Sequence, residues 1–334
     1  MLIVGLTVLA SASIATAISG PEFGTHIGVL ASADPQTSPT GVSTPVLPNA
    51  PTPTPAQARR AVDVWLNGGL LVAAPLLLLV MFISDLIRPG SFQRGGLRGV
   101  QPHPWYIWLF AGLVIYMSMS FGVGFAAQSS WLTDGAAPGS MRYTAVTQMV
   151  GFGAGILTSW IMTRLLAAGA GGSGLVWQWR DIIVGLGAFV LIYPLVYAAQ
   201  VGAVWGYQYY EGTTPDPMAH ETLRQITSNA GDPWAWVITL AAVLGAPIVE
   251  EVLYRGMLQS AVLRVTGGAW SAILITSAIF ASVHYSVVPP HVLPVLFVLS
   301  VGLGAVLERT KKLGACIVVH AAYNTLNVAL ALST

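Results

Sequence analysis

The stretch Pro247-Ile-Val-Glu-Glu-Val-Leu-Tyr-Arg255 places two carboxylates and one guanidinium inside an apolar run that extends over about 234–263. Charged residues are costly and rare at membrane depth, and by default they indicate a functional site. At helical spacing Glu251 and Arg255 are i and i+4 neighbours in the favourable order, which predicts an ion pair on one helix face. Glu250 lies about 100° round the helix from that pair, so its carboxylate is a candidate general base.

The composition identifies the class of protein around this run. Of the 334 residues, 54% are hydrophobic and 8% are charged, which is too few charges for a soluble surface and predicts a polytopic α-helical membrane protein. The formal net charge of +1, without a basic arm, argues against a nucleic-acid partner. The single cysteine, Cys316, excludes an intrachain disulfide and a zinc site built on several cysteines.

Hydropathy and length predict eight membrane spans. They fall at about 64–86, 105–127, 145–167, 181–206, 235–262, 269–287, 291–307 and 313–332. The expected fold is therefore an all-α polytopic transmembrane bundle of about eight spans that follows an N-terminal signal-like segment.

The first 60 residues divide into two parts. Residues 1–19 have a short apolar core and the small-x-small pattern Ala15-Thr16-Ala17, as a cleavable secretory signal does. The missing basic n-region leaves an uncleaved signal or a misassigned start codon as alternatives. Residues 20–60 are rich in Pro, Ser and Thr, which predicts a disordered linker. Residues 61–234 then form the N-terminal group of helices.

Charge alternates between successive loops. The loops after the first, third, fifth and seventh spans carry the basic residues Arg88, Arg94, Arg98, Arg164, Arg180, Arg264, Arg309, Lys311 and Lys312. The other loops carry the acidic residues Asp134, Glu211, Asp216, Glu221 and Asp232, against the two basic residues Arg142 and Arg224. The positive-inside rule places the first set in the cytoplasm. We therefore predict an integral protein of the plasma (inner) membrane, with the N-terminal tail and the C-terminus outside.

Two further polar motifs follow in the last third of the chain. Phe280-x-x-x-His284 and His320-x-x-x-Asn324 each place their two residues at i and i+4, on one helix face. Taken singly, each motif could have only a structural role, as side chains that form hydrogen bonds between packed membrane helices. Together with Glu250 they supply a carboxylate, two imidazoles and an amide on three helices. Peptide hydrolysis needs such a set: a base for water, proton carriers and donors for an oxyanion.

The three motifs, in this order, resemble those of the CPBP family, the CAAX-prenyl-protease and bacteriocin-processing (abortive-infection) intramembrane proteases. The resemblance covers about residues 235–330 and implies that 235–334 is a catalytic core. It implies an intramembrane endopeptidase that cuts a peptide bond of peptide or protein substrates, including lipid-modified or membrane-associated ones, near the surface of the lipid bilayer. The chain has no His-Glu-x-x-His helix and Asn324 suits an oxyanion better than a metal, which favours chemistry without a metal cofactor.

The resemblance also implies a role for each residue. Glu250 would activate water, and His284 would hold that water and carry its proton. His320 and Asn324 would stabilise the oxyanion. The remaining residues of the motifs would be structural supports: Glu251, Arg255 and Phe280.

Pro247 and the depths of the two histidines add two expectations. A proline inside a helix frees a carbonyl, here near residue 243, where the backbone can line a wet cavity. His284 lies about 22 Å into its segment and His320 about 11 Å into its own. A shared site therefore requires that 258–272 project beyond the membrane on the inner side and that 285–290 form a short turn.

Two alternatives remain open from the residues alone. Glu250, His284 and His320 could form a zinc site of two histidines and one carboxylate, as in catalytic zinc enzymes. The chain could instead be a non-catalytic membrane scaffold or immunity protein in which the polar cluster joins helices. A transporter is disfavoured, because the polar residues are confined to the last four spans and no inverted repeat is visible.

Overall fold

The computed structural model describes residues 55–100, 103–167, 174–175, 177–215 and 221–333, and this part of the chain contains helices but no strand. Within these described ranges, eight long helices make up the bundle: α1 Pro55–Ile83, α2 Trp105–Gln128, α3 Met141–Ala167, α4 Arg180–Glu211, α5 Pro233–Thr266, α6 Ala269–Val283, α7 Leu293–Thr310 and α8 Leu313–Leu332. Shorter helices are Ser91–Arg94, Ser130–Thr133, Glu221–Ser228 and the 3-10 turn Pro290–Val292. The predicted all-α fold is confirmed.

The N-terminal predictions fall mostly outside the described residues. The signal-like segment 1–19 lies outside them, and so does the linker up to residue 54. The end of the predicted linker is wrong, because α1 begins at Pro55. Proline is well suited to the first turn of a helix, where its missing N–H has no partner to lose, and Gln57 to Arg60 are good helix formers.

Seven of the eight predicted spans are helices long and apolar enough to cross a membrane, within the described residues. The exception is α6, predicted as a span over 269–287, which has only 15 residues. At 1.5 Å per residue it rises about 22 Å, short of the roughly 30 Å of a hydrocarbon core. The helix ends because the chain turns at His284, whose carbonyl accepts the N–H groups of Val287 and Val288. The predicted turn at 285–290 is therefore present.

The loops that carry the basic residues meet at one end of the bundle. The contacts that join them are Arg98 to Glu308 at 3.2 Å, Arg309 Nε to the Leu86 carbonyl at 2.8 Å, and Lys312 Nζ to Asp181 at 3.0 Å. Loops that follow alternate spans must share an end, so these contacts agree with the predicted order of passes. The assignment of this end to the cytoplasm stays a prediction.

The position of the turn between α5 and α6 explains how His284 and His320 reach the same depth in the bundle. Gly267 takes the left-handed conformation (φ +64°) and ends α5, so that α6 returns antiparallel to it. Glu250 and His284 then lie at similar heights above this turn. His320 lies about 7 residues, or about 11 Å, into α8, and it contacts Glu251. Glu251 is about 23 Å along α5 from the turn, so the turn lies about 12 Å beyond the level at which α8 starts. Whether it leaves the membrane stays a prediction.

Glycines bring α2 and α3 close to the part of α5 that carries the glutamates. A Cβ at Gly122 of α2 would lie 2.9 Å from the Val150 carbonyl of α3. A Cβ at Gly155 of α3 would lie 3.0 Å from Val249 of α5. Small residues permit such approaches between membrane helices. As a result α2 and α3 form a wall beside Glu250.

Candidate active site

The helix α5 departs from α-helical geometry on both sides of Glu250. Two π-helical segments, Ala241–Gly245 and Val252–Leu258, flank the α-helical segment Ala246–Glu251. Short π segments within α-helices occur frequently at functional sites. The irregular backbone therefore coincides with the motif that the sequence singled out.

Pro247 lies in the α-helical segment and leaves one carbonyl of the preceding π segment without its backbone donor. In the π-helical pattern that carbonyl belongs to Ala242, five residues earlier, rather than to a residue near 243 as α-helical spacing predicted. The side-chain Nδ2 of Asn324 donates to the Ala242 carbonyl at 2.9 Å. An amide from α8 thus replaces the N–H that proline lacks, and it joins the first motif to the third.

Glu251 connects the same two helices through its carboxylate. Its Oε2 lies 3.2 Å from Arg255 Nε, so the ion pair expected from the i, i+4 spacing is present, with both side chains fully buried. Its Oε1 accepts a hydrogen bond from His320 Nδ1 at 2.8 Å. The sequence did not reveal this second contact, because Glu251 and His320 are far apart in the chain and no local spacing relates them.

The hydrogen bonds of the two histidines define their tautomers. His284 Nδ1 lies 2.6 Å from the Phe280 carbonyl, which can only accept, so Nδ1 carries the proton. By the same reasoning His320 Nδ1 donates to the Glu251 carboxylate. In each neutral ring Nε2 then has a lone pair. His320 Nε2 lies 4.0 Å from Glu250 Oε2, which brings the first glutamate and the third motif together.

Phe280 packs among the polar side chains of all three motifs. The Arg255 guanidinium lies 4.6 Å from the centre of its ring. Its ring centre is 4.7 Å from that of His284, 6.4 Å from that of His320 and 5.0 Å from that of Tyr254. Phe280 is fully buried, and it therefore sets the spacing between both imidazoles and the guanidinium.

A groove of about 630 Å³ runs along α2, α3, α5 and the turn after α6. Most of its lining is apolar, for example Trp108, Met119, Phe152, Leu253 and Val283. Among the polar side chains of its wall are Glu250, His284 and Tyr254. His320 and Asn324 are fully buried and do not line it. The sequence did not predict the contribution of α2 and α3, because these helices carry no ionisable residue at mid-depth.

Residues 232–326 match the family model of the Rce1-like type II CAAX prenyl endopeptidases. This stretch is a Rce1-like domain. It contains all three motifs, from Glu250 to Asn324, and it confirms the family that those motifs predicted. Neither the curated proteins nor the solved structures gave a match to the chain. With seven candidate spans in the part of the chain that the structure describes, the protein is an integral membrane protein.

Ser300 is a further polar side chain within the Rce1-like domain that the sequence analysis did not single out. Its hydroxyl oxygen accepts a hydrogen bond from Arg255 at 3.1 Å, with both groups buried. It therefore holds the guanidinium from α7, in addition to the ion pair with Glu251. A serine in an apolar span is common, so nothing in the sequence distinguished this one.

The zinc alternative requires three ligands of the Rce1-like domain to converge. Within the described residues, no group of three or more His, Cys, Asp or Glu side chains is placed to hold a metal ion. The Nδ1 atoms of His284 and His320 donate to protein acceptors and leave Nε2 of each ring, an arrangement that metal-bound histidines also have. The zinc alternative therefore stays a prediction for experiment to decide.

Proposed function

We propose that this protein is an intramembrane endopeptidase in which Glu250 activates the water that attacks the peptide bond. The observation that carries the proposal is the position of Glu250 and His284. These two groups come from separate motifs of a Rce1-like domain, and both lie in the wall of one apolar groove. The cut would be made near the membrane surface. The protein would lie in the plasma (inner) membrane, with both the N-terminal tail and the C-terminus outside.

The proposed reaction is a direct hydrolysis. Glu250 accepts a proton from water while the water oxygen bonds to the scissile carbonyl carbon and the carbonyl electron pair moves to its oxygen. His284 holds the water through Nε2. The proton then passes to the amide nitrogen as the C–N bond breaks, which gives a carboxylate and an amine.

We propose that His320 and Asn324 stabilise the oxyanion from behind the groove wall. The hydrogen bond from Nδ1 to Glu251 orients the His320 ring, so Nε2 can donate only when the ring carries a second proton. Asn324 uses one of its two N–H groups on Ala242 and keeps the other. Donors held rigidly in a buried site contribute most to this kind of stabilisation.

The apolar groove supports a substrate with an apolar or lipid-bearing segment. A volume of about 630 Å³ lies within the range of pockets that bind molecules of a few hundred daltons. Since the matched family acts on CAAX prenyl substrates by its name, we propose lipid-modified or membrane-associated peptides as the substrate class. Such substrates would enter the groove laterally from the lipid bilayer.

The test is cleavage by the purified protein in detergent, carried out in ¹⁸O-labelled water. The substrates are a fluorogenic peptide library and a farnesylated peptide of CAAX type with its unmodified counterpart. Cleavage that places one ¹⁸O in the new carboxylate supports the proposal. Activity that a chelator abolishes and zinc restores would favour the zinc enzyme. A folded protein that releases no product from any of these peptides would favour the scaffold.

A further inference from the structure

The groove wall carries a phenol beside the proposed base. Tyr254 follows Glu250 by four positions on α5, and both side chains line the groove. The Tyr254 ring meets Phe280 edge to face, with ring centres 5.0 Å apart and planes at 88°. Because Phe280 is fully buried and also contacts His284, the Tyr254 ring is held in a defined position relative to that imidazole. The packing of the site therefore fixes the ring that carries the phenol hydroxyl.

In the groove, an ionised Glu250 and a His284 ring protonated on Nδ1 offer hydrogen-bond acceptors to a substrate but no donor. An ionised Glu250 can only accept, and the neutral His284 ring spends its N–H on the Phe280 carbonyl. His320 and Asn324 are buried behind the wall. An amide carbonyl under attack by water develops negative charge on its oxygen, and a hydrogen-bond donor on the groove side would add to the stabilisation proposed for His320 and Asn324.

The Tyr254 hydroxyl is such a donor. A phenol remains a donor at neutral pH, and no hydrogen bond to the described residues occupies this one. Tyr116, Gln148 and Ser286 also bring polar groups to the groove, but they come from α2, α3 and the turn after α6. Tyr254 shares α5 with the base and lines the same groove, so we expect a substrate carbonyl presented to Glu250 to lie within reach of the phenol.

We propose that Tyr254 is a further catalytic residue, whose hydroxyl donates a hydrogen bond to the carbonyl oxygen of the scissile peptide bond. The proposal rests on the endopeptidase function proposed above. No proton is transferred in this step, because the phenol keeps its hydrogen throughout. The bond strengthens as the carbonyl oxygen becomes an oxyanion, so its effect falls on the transition state more than on substrate binding.

The experiment compares wild type with Tyr254→Phe, Tyr197→Phe and Glu250→Gln on a peptide that wild type cleaves. Tyr254→Phe keeps the ring and its contact with Phe280 and removes only the hydroxyl. We expect kcat to fall about 100-fold, with KM and Tm nearly unchanged. Tyr197→Phe makes the same chemical change on α4, outside the groove, where the buried hydroxyl has no hydrogen-bond partner among the described residues. It should match wild type.

Each outcome decides between the two proposals. If Tyr254→Phe keeps kcat within about twofold of wild type while Glu250→Gln is inactive, the role of Tyr254 is overturned and the endopeptidase stands. A rise in KM alone, or a loss that follows a lower Tm, also overturns a transition-state contact. If Glu250→Gln is as active as wild type, the proposed function itself fails.

Discussion

Glu251 Oε1 accepts a hydrogen bond from His320 Nδ1 at 2.8 Å, between two side chains that are fully buried on different helices. The other oxygen of the same carboxylate lies 3.2 Å from Arg255, which in turn donates to Ser300 of α7. One carboxylate therefore ties α5, α7 and α8 together. The neighbouring Glu250 lies in the groove wall. The two adjacent glutamates thus have different surroundings, and this difference predicts different consequences of removing each charge.

Glu251→Gln should destabilise the protein strongly. The amide cannot neutralise Arg255, and removing one partner of a buried ion pair costs about 3–5 kcal/mol because it leaves a buried charge uncompensated. We expect a marked fall in the midpoint of thermal unfolding in detergent. Activity at a temperature well below that midpoint should also fall, since the His320 ring loses its charged acceptor. An unfolding midpoint equal to that of wild type would contradict the structural role.

Asn324→Ala should remove the donor that satisfies the Ala242 carbonyl. A buried carbonyl without a partner lowers the free energy of unfolding by about 1–3 kcal/mol. Pro247→Ala restores a backbone N–H that can take the place of the amide, so the same Asn324→Ala change should cost less in a Pro247→Ala background. A double-mutant cycle on thermal unfolding measures this coupling. Additive losses would show that the two residues act independently.

Met119→Trp should fill part of the groove and hinder substrates that need it. Met119 lines the groove from α2, and a bulkier side chain takes up volume beside Glu250. We expect kcat/KM for a farnesylated peptide to fall about tenfold or more, with a smaller effect on the unmodified peptide. The matched control is Phe121→Trp, on the same helix but largely exposed at 82%. Equal effects of the two variants would exclude a substrate role for the groove.

What the sequence could predict was local. The Glu251–Arg255 pair follows from helical spacing alone, and the family follows from three motifs that each lie within six residues. The carbonyl that Pro247 frees was predicted near residue 243 and is that of Ala242. The reason is that a π-helical segment shifts the hydrogen-bond pattern by one residue, and no residue type predicts such a segment.

What the sequence could not predict depends on contacts between distant segments. The Glu251–His320 and Arg255–Ser300 hydrogen bonds join helices far apart in the chain. The predicted span at 269–287 was wrong because hydropathy stays high through Val287 and Val288, although the chain already turns at His284. The groove wall on α2 and α3 has no polar signature, so only the packed structure identifies it.

The measurement that tests the central claim most directly is the single-turnover cleavage rate of Glu250→Gln beside wild type. Glutamine keeps the size and hydrogen bonding of the side chain but cannot accept a proton from water. If Glu250 is the general base, the rate should fall by at least about 100-fold while the unfolding midpoint stays near that of wild type. A Glu250→Gln protein that cleaves within a few-fold of the wild-type rate would contradict the account.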